Sequence, residues 1–241
     1  MATTSTTPTR AFGKLFSAVA TAAALCASSA AQAGVLDFET PLDSRLVFSG
    51  DVLTLGEYWV GGATTDMVGP TNPGMVGVVD DNSGCDGIDC PVNNNTKYYS
   101  AVADGYLAFG KIDGSKFKIS SFDASFIGGD LNTYPAVSGL LYLAGYNGAT
   151  FVEDIFLELS GPVNGSFNFA NYAMSRFGDY EFTDVLIASY ACNAAGDCDR
   201  TSGYAQFAID NITTYVPEPG SFALMGLGLL GLGAFSRRRA A

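Results

Sequence analysis

The stretch Thr150-Phe151-Val152-Glu153-Asp154-Ile155-Phe156-Leu157-Glu158-Leu159 decides the fold. Ile155, Leu157 and Leu159 alternate with Asp154 and Glu158, so an extended chain puts the aliphatic side chains on one face and the carboxylates on the other. The same period of two returns in Phe207-Ala208-Ile209-Asp210-Asn211-Ile212, where Phe207 and Ile209 point inward. In the run containing Phe117, Ile119, Phe122, Ala124 and Phe126 the phase slips at Ser120-Ser121, which predicts a bulge. Short runs of β-branched and aromatic residues alternate with Gly/Asn/Asp/Ser clusters through residues 34–215, and helical periodicity is nearly absent. Strands are predicted at 35–39, 51–58, 75–79, 106–109, 117–126, 139–146, 150–159, 166–169, 181–189 and 204–213. The expected fold is all-β, an antiparallel β-sandwich.

The flanks of this domain have a different grammar. Residues 1–33 open polar, with Arg10 and Lys14, pass through an Ala/Leu/Val-rich stretch at 15–27, and close on Ala31-Gln32-Ala33. That order is a secretory signal peptide, with small residues where signal peptidase needs them, and cleavage is expected between Ala33 and Gly34. Cys26 follows the bulky Leu25, which argues against a lipoprotein signal.

At the other end, Pro217-Glu218-Pro219 precedes an apolar run at 222–235 and the cluster Arg237-Arg238-Arg239. The prolines hold an extended, accessible segment, because they fit neither a strand nor a helix interior. The apolar run is expected to be a transmembrane helix, short against the roughly 20 residues of a usual span. Each arginine costs about 2.5–3.5 kcal/mol to move through hydrocarbon, so the cluster stays cytoplasmic and the main domain lies outside.

Pro217-Glu218-Pro219, the helix containing Gly226, Gly228, Gly231 and Gly233, and the closing arginines resemble the PEP-CTERM sorting signal, a tail also labelled an ice-binding protein carboxyl-terminal domain. The resemblance covers residues 216–241 and implies an address. In that family the tail is recognised by exosortase, a membrane protease-transferase of Gram-negative bacteria that make exopolysaccharide. It implies transient anchoring in the inner membrane and then release to the cell surface or extracellular matrix. A permanent anchor is the rival reading of the same residues.

The chain has 24 acidic and 12 basic residues, and all the acidic ones but Glu218 lie between the two signals. The basic residues there are Arg45, Lys97, Lys111, Lys116, Lys118, Arg176 and Arg200. So acidic a domain repels nucleic acid and anionic lipid and is compatible with divalent cations and neutral polysaccharide. Its four cysteines fall in two loops, Cys85 with Cys90 and Cys192 with Cys198. Export favours disulfides, and local pairing is the simplest connectivity, each bridge worth about 2 kcal/mol. A crossed pairing between the loops stays open. The spacing does not suit a four-thiolate zinc site.

No histidine is present. That removes Ser-His-Asp and Cys-His catalysis, His-ligated zinc and imidazole acid/base work. Sugar hydrolysis by two carboxylates survives the filter, with Glu39, Glu57, Glu153, Glu158 and Glu181 available, but solvated strand faces account for these residues better. The oxygen-rich loop Asp80-Asp81-Asn82-Ser83-Gly84-Cys85-Asp86 lacks the terminal glutamate of a calcium loop and reads as a turn. Tyr58-Trp59 and Tyr98-Tyr99 flank Gly/Asn-rich loops, where exposed rings could stack on a sugar, although core packing explains the tyrosines equally well. Trp59 is the strongest of the four.

Leu36-Asp37-Phe38-Glu39 and the strand from Phe207 to Ile212 resemble the opening and closing strands of galactose-binding-like jelly rolls. That resemblance implies that the two strands are neighbours and offers Glu39 and Asp210 as ligands of a structural calcium, the only cofactor indicated. Carboxylates that cap strand ends are the weightier reading. The chain is expected to be a non-enzymatic, exopolysaccharide-associated surface or matrix protein that meets signal peptidase and exosortase on its way out. A carbohydrate-binding module is the alternative, and a carboxylate-dependent glycoside hydrolase the weaker third.

Overall fold

The computed structural model describes residues 33–42, 44–64, 74–81, 90–128, 133–200 and 204–216. The expected signal helix and the transmembrane helix at 222–235 lie outside them. Fourteen strands follow in chain order among the described residues: β1 (Ala33–Leu36), β2 (Leu46–Phe48), β3 (Val52–Leu55), β4 (Tyr58–Thr64), β5 (Met75–Asp80), β6 (Tyr98–Ala101), β7 (Gly105–Lys111), β8 (Lys118–Phe126), β9 (Val137–Asn147), β10 (Thr150–Ser160), β11 (Ala170–Ala173), β12 (Asp184–Cys192), β13 (Cys198–Asp199) and β14 (Phe207–Tyr215). A single 3-10 turn, Phe177–Asp179, is the helical element among the described residues, and no helix there is long and apolar enough to cross a membrane.

The strands form two antiparallel sheets packed as a sandwich. The first runs β11-β8-β14-β6-β5-β2, with β1 also beside β14, and the second runs β10-β9-β12-β7-β4-β3, with β13 beside β12. The first and last strands are neighbours, Leu36 facing Ile212 and Ala33 facing Tyr215. Between the sheets lie Phe109, Phe117, Phe122, Phe126, Phe177, Phe182 and Phe207, with Leu141, Leu143, Ile187 and Ile209. Each such ring or aliphatic side chain contributes about 1.5–3 kcal/mol by leaving water.

The period of two is visible in the packing. On β10, Leu159 is buried and Ile155 and Leu157 pack partly on the core, whereas Asp154 and Glu158 are exposed. The phase slip in β8 is a register shift: Thr213 and Thr214 of β14 pair with Ser121 and Ile119, leaving Ser120 as the extra residue. Other boundaries moved. The run 51–58 is a hairpin turning at Gly56, the strand predicted at 166–169 forms instead at Ala170–Ala173, and β2, β6 and β13 had no prediction. β6 is buried along its whole length and β2 is three residues long, so neither offers an alternation to detect.

The outer face of the first sheet is covered. Residues 92–94 lie along 167–169 through hydrogen bonds from Val92 N to Phe167 O and from Phe169 N to Val92 O. Tyr98, Val102, Ile127, Phe169 and Ala208 form a second small core there.

Candidate functional site, an aromatic trough on the open sheet

Among the described residues nothing comparable covers the outer face of the second sheet, and its strand register lines residues up in transverse rows. One row runs Thr54, Trp59, Gly110, Asp184, Tyr146, Phe151 across β3, β4, β7, β12, β9 and β10. The next runs Val52, Gly61, Ala108, Leu186, Ala144, Asp154. A third contains Tyr106 beside Ala63, and Ala188, Tyr142 and Phe156 as successive partners.

Rings therefore flank a middle row of mostly small side chains, interrupted by the half-buried Leu186 between Ala108 and the fully buried Ala144. Trp59, Tyr146 and Phe151 stand on one side of Gly61, Ala108 and Ala144, and Tyr106, Tyr142 and Phe156 stand on the other. The outer rows are four residues apart along β4, β7, β12 and β9, about 13 Å, and five apart along β10, where a register shift between Phe151 and Glu153 adds a residue; β4 to β9 is about 14 Å across. The trough is wide and shallow.

Local contacts hold the rings. Tyr142 lies 4.7 Å from Phe156 and Tyr146 6.0 Å from Phe151, centroid to centroid, and Phe156 reaches Tyr190 at 5.8 Å. Phe151 and Phe156 keep about half their surface in water, at 52% and 51%. Trp59 is half-buried. Its indole lies over Gly110, where a Cβ would come within 2.8 Å of Nε1, so only glycine fits beneath the ring. Burial and the neighbouring Asp154 carboxylate push the Tyr142 phenol up to about 12, so it stays neutral and hydrogen-bonds Asp154. Thr183 Oγ1 donates to Asp184 Oδ2 at 2.6 Å, and the Arg200 guanidinium sits 5.5 Å over the Tyr106 ring. The trough thus offers flat apolar rings with a few carboxylates and amphipathic phenols at their edges, the chemistry that stacks on a sugar face and bonds its hydroxyls.

Of the four aromatics expected to bind glycan, only Trp59 lies on this face. Tyr58, Tyr98 and Tyr99 are 2%, 1% and 0% exposed, so their rings present no face to a ligand. Tyr58 and Trp59 are consecutive on β4 and must point to opposite sides. Tyr98 and Tyr99 likewise point to opposite sides of β6, but both sides of that sheet are covered.

Glu39 and Asp210 both lie against the segment after Asn94. Glu39 Oε1 accepts from Lys97 N at 2.6 Å, and Asp210 Oδ2 lies 2.8 Å from Asn94 Nδ2 and 3.0 Å from Thr96 Oγ1. Those partners are donors, whereas a hard cation gathers acceptors. Among the described residues no group of three or more His, Cys, Asp or Glu could hold a metal. Cys192 and Cys198 are joined by a disulfide that closes the β12–β13 hairpin, so the two loops are not cross-linked through it. Cys90 is disulfide-bonded as well, and Cys85 lies outside the described residues. Of the carboxylates available for sugar hydrolysis, Glu57 pairs with Lys111 at 2.9 Å and Glu153 with Arg176 at 3.2 Å.

β14 ends at Tyr215, and residues 216–239, which contain Pro217, Glu218, Pro219 and the arginines, match the model of the PEP-CTERM protein-sorting motif. The chain carries a PEP-CTERM sorting motif. It marks an exported, surface-directed protein and implies exosortase processing. The PEP-CTERM motif thus starts at the residue after the last strand. No curated protein matches the chain. The sandwich is similar in fold to a DUF4465 family protein from Bacteroides caccae, at 10% identity and a TM-score of 0.53, covering 77% of this chain and 100% of that one. More distant likenesses are a CBM27-1 from Caldicellulosiruptor saccharolyticus in complex with mannohexaose, at 13% identity, 76% and 97% coverage and a TM-score of 0.39, and an arabinose-bound GH51 α-L-arabinofuranosidase, at 11% identity, 78% and 27% coverage and a TM-score of 0.41.

Proposed function

We propose that this PEP-CTERM protein is a non-enzymatic, exported polysaccharide binder. Signal peptidase and exosortase process it at its two ends, and its second sheet holds a neutral exopolysaccharide chain in the aromatic trough at the cell surface or in the matrix. The observation that carries the binding reading is the pair of aromatic rows flanking Gly61, Ala108, Leu186 and Ala144 on a sheet face that no described segment covers. The acidic domain favours a neutral glycan over a uronate-rich one, because carboxylates beside Trp59 and Tyr142 repel another anion.

Two measurements test the two halves of this proposal. Intact-mass analysis of the protein from its native host should give a chain from Gly34 to near Pro217, and the Pro217→Ala/Pro219→Ala variant should keep its tail. A wild-type mass that retains 222–241 makes the tail a permanent anchor. For binding, affinity electrophoresis or calorimetry against a panel of neutral polysaccharides should find a ligand whose affinity falls about tenfold in Trp59→Ala, the loss of one stacked ring. Silence across the panel, or binding indifferent to Trp59, sinks the trough as the site.

A further inference from the structure

A second concavity lies away from the trough, at the first strand. It is a cleft of about 230 Å³ lined by Gly34, Val35, Asp37, Leu55, Glu57 and Tyr58, among others. Glu57 stands at the β3–β4 turn. Its Oε2 accepts from Lys111 Nζ at 2.9 Å, and the Lys111 side chain is only 6% exposed, so this ion pair is half buried.

The other carboxylate oxygen faces β1. A Cβ at Gly34 would lie 2.6 Å from Glu57 Oε1 and 2.5 Å from Tyr58 Oη, so the position takes glycine alone. Standard bond lengths then put the Gly34 nitrogen within about 5 Å of Oε1. Tyr58 Oη is 2.5 Å from Thr214 Oγ1, on the residue that faces Gly34 across the strand pair. Burial pushes the Tyr58 phenol up to about 12, so it contributes no charge at neutral pH.

The bond expected to be cut by signal peptidase is the one on the amino side of this residue. Its hydrolysis by water leaves a carboxylate on the departing Ala33 and a protonated amine on Gly34. We propose that the cleft is the seat of that new amino terminus, with the Gly34 α-ammonium paired to Glu57 Oε1 while Lys111 keeps Oε2. The proposal rests on cleavage between Ala33 and Gly34. Charge supports it: the cleft is lined by two carboxylates, Asp37 and Glu57, the Lys111 ammonium on β7 is shared between Glu57 and Asp113 just beyond that strand, and β14 supplies only the neutral Thr214. The α-ammonium offsets part of this excess negative charge.

The pairing ties the two ends of the domain together. Gly34 faces Thr214, so the released amino terminus lies beside the end of β14, one residue short of Tyr215, the last residue before the sorting motif. Holding Gly34 holds β1 against the strand through which a tethered tail would pull.

The test is titration of the α-amino group in protein recovered from its native host, followed by pH-dependent acylation of the terminus and read by mass spectrometry. An unpaired terminus titrates at about 7.7–8.0. In the wild type the midpoint should rise by about one unit, making the terminus several-fold slower to acylate at neutral pH, and Glu57→Gln should return it to the ordinary range. Because Glu57→Gln leaves Lys111 buried without its partner, Glu57→Gln/Lys111→Met is measured beside it and should show the same return. Equal titration of wild type and both variants in a chain shown by mass to start at Gly34 overturns the clamp. A chain that starts elsewhere overturns it by the other route, through the cleavage position.

Discussion

The two sheets turn opposite faces to the surroundings, and the difference is why the proposed binding surface is placed on the second. On the first sheet Asp210 is 1% exposed and met by Asn94, Thr96 and the backbone N–H of Asn211, while Asp123, directly across the strand pair, is met by Asn171 at 2.8 Å and Asn211 at 3.0 Å. Two carboxylates facing each other on adjacent strands repel, and the three amides offset that repulsion. Tyr98 packs edge-on against Phe169 at 5.1 Å. Asp210, Asp123 and Tyr98 on this face are thus each engaged by the chain itself. On the second sheet, Phe151 and Phe156 stand half in water, packed mainly against the neighbouring tyrosine rings. A face whose polar groups are satisfied internally has little to gain from a ligand, whereas an exposed ring gains by leaving water.

The largest effect should come from breaking the closed face. Asn94→Ala removes a donor from a buried carboxylate and should cost about 1–3 kcal/mol in urea unfolding. The deficit should depend on pH with a definite sign. Burial, the largest cause, raises Asp210 above the usual carboxylate range, and the hydrogen bonds from Asn94, Asn211 and Thr96 work against it. The native state therefore takes up this proton more readily than the unfolded chain, so the destabilising charge is felt above the folded pKa and relieved as pH falls through it towards the unfolded value. The Asn94→Ala deficit should shrink along that path. A deficit that stays constant down to the unfolded value would show that Asn94 acts by packing alone.

The sandwich was legible where one face of a strand meets core and the other meets water. β10 and β14 declare themselves through Ile155, Leu157, Leu159, Phe207 and Ile209, and the slip at Ser120 marks its bulge. β6 hides because Tyr98 and Tyr99 are buried on opposite sides of a sheet covered twice, a state that a loop-flanking Tyr-Tyr pair does not announce. The trough was legible only at Trp59. Tyr142, Tyr146 and Phe151 become one surface through pairing of β9 with β10 and β12, which no single segment contains.

The smallest expected change in stability is also the sharpest test of the open face. At Gly61 a Cβ would stand 3.6 Å from Asp51 O, 3.7 Å from Trp59 Cζ3 and 4.0 Å from Ala108 O, ordinary contacts that need no backbone movement. Gly61→Leu therefore adds a side chain to the trough floor without disturbing the core, and since glycine weakens a strand interior, stability should change by less than about 0.5 kcal/mol. Binding should nevertheless be lost, because the added side chain occupies the space between Trp59 and Tyr106. Trp59→Ala removes a contact and Gly61→Leu removes the room, so a ligand that tolerates the second but not the first must bind beside the trough, on the outer flank of Trp59.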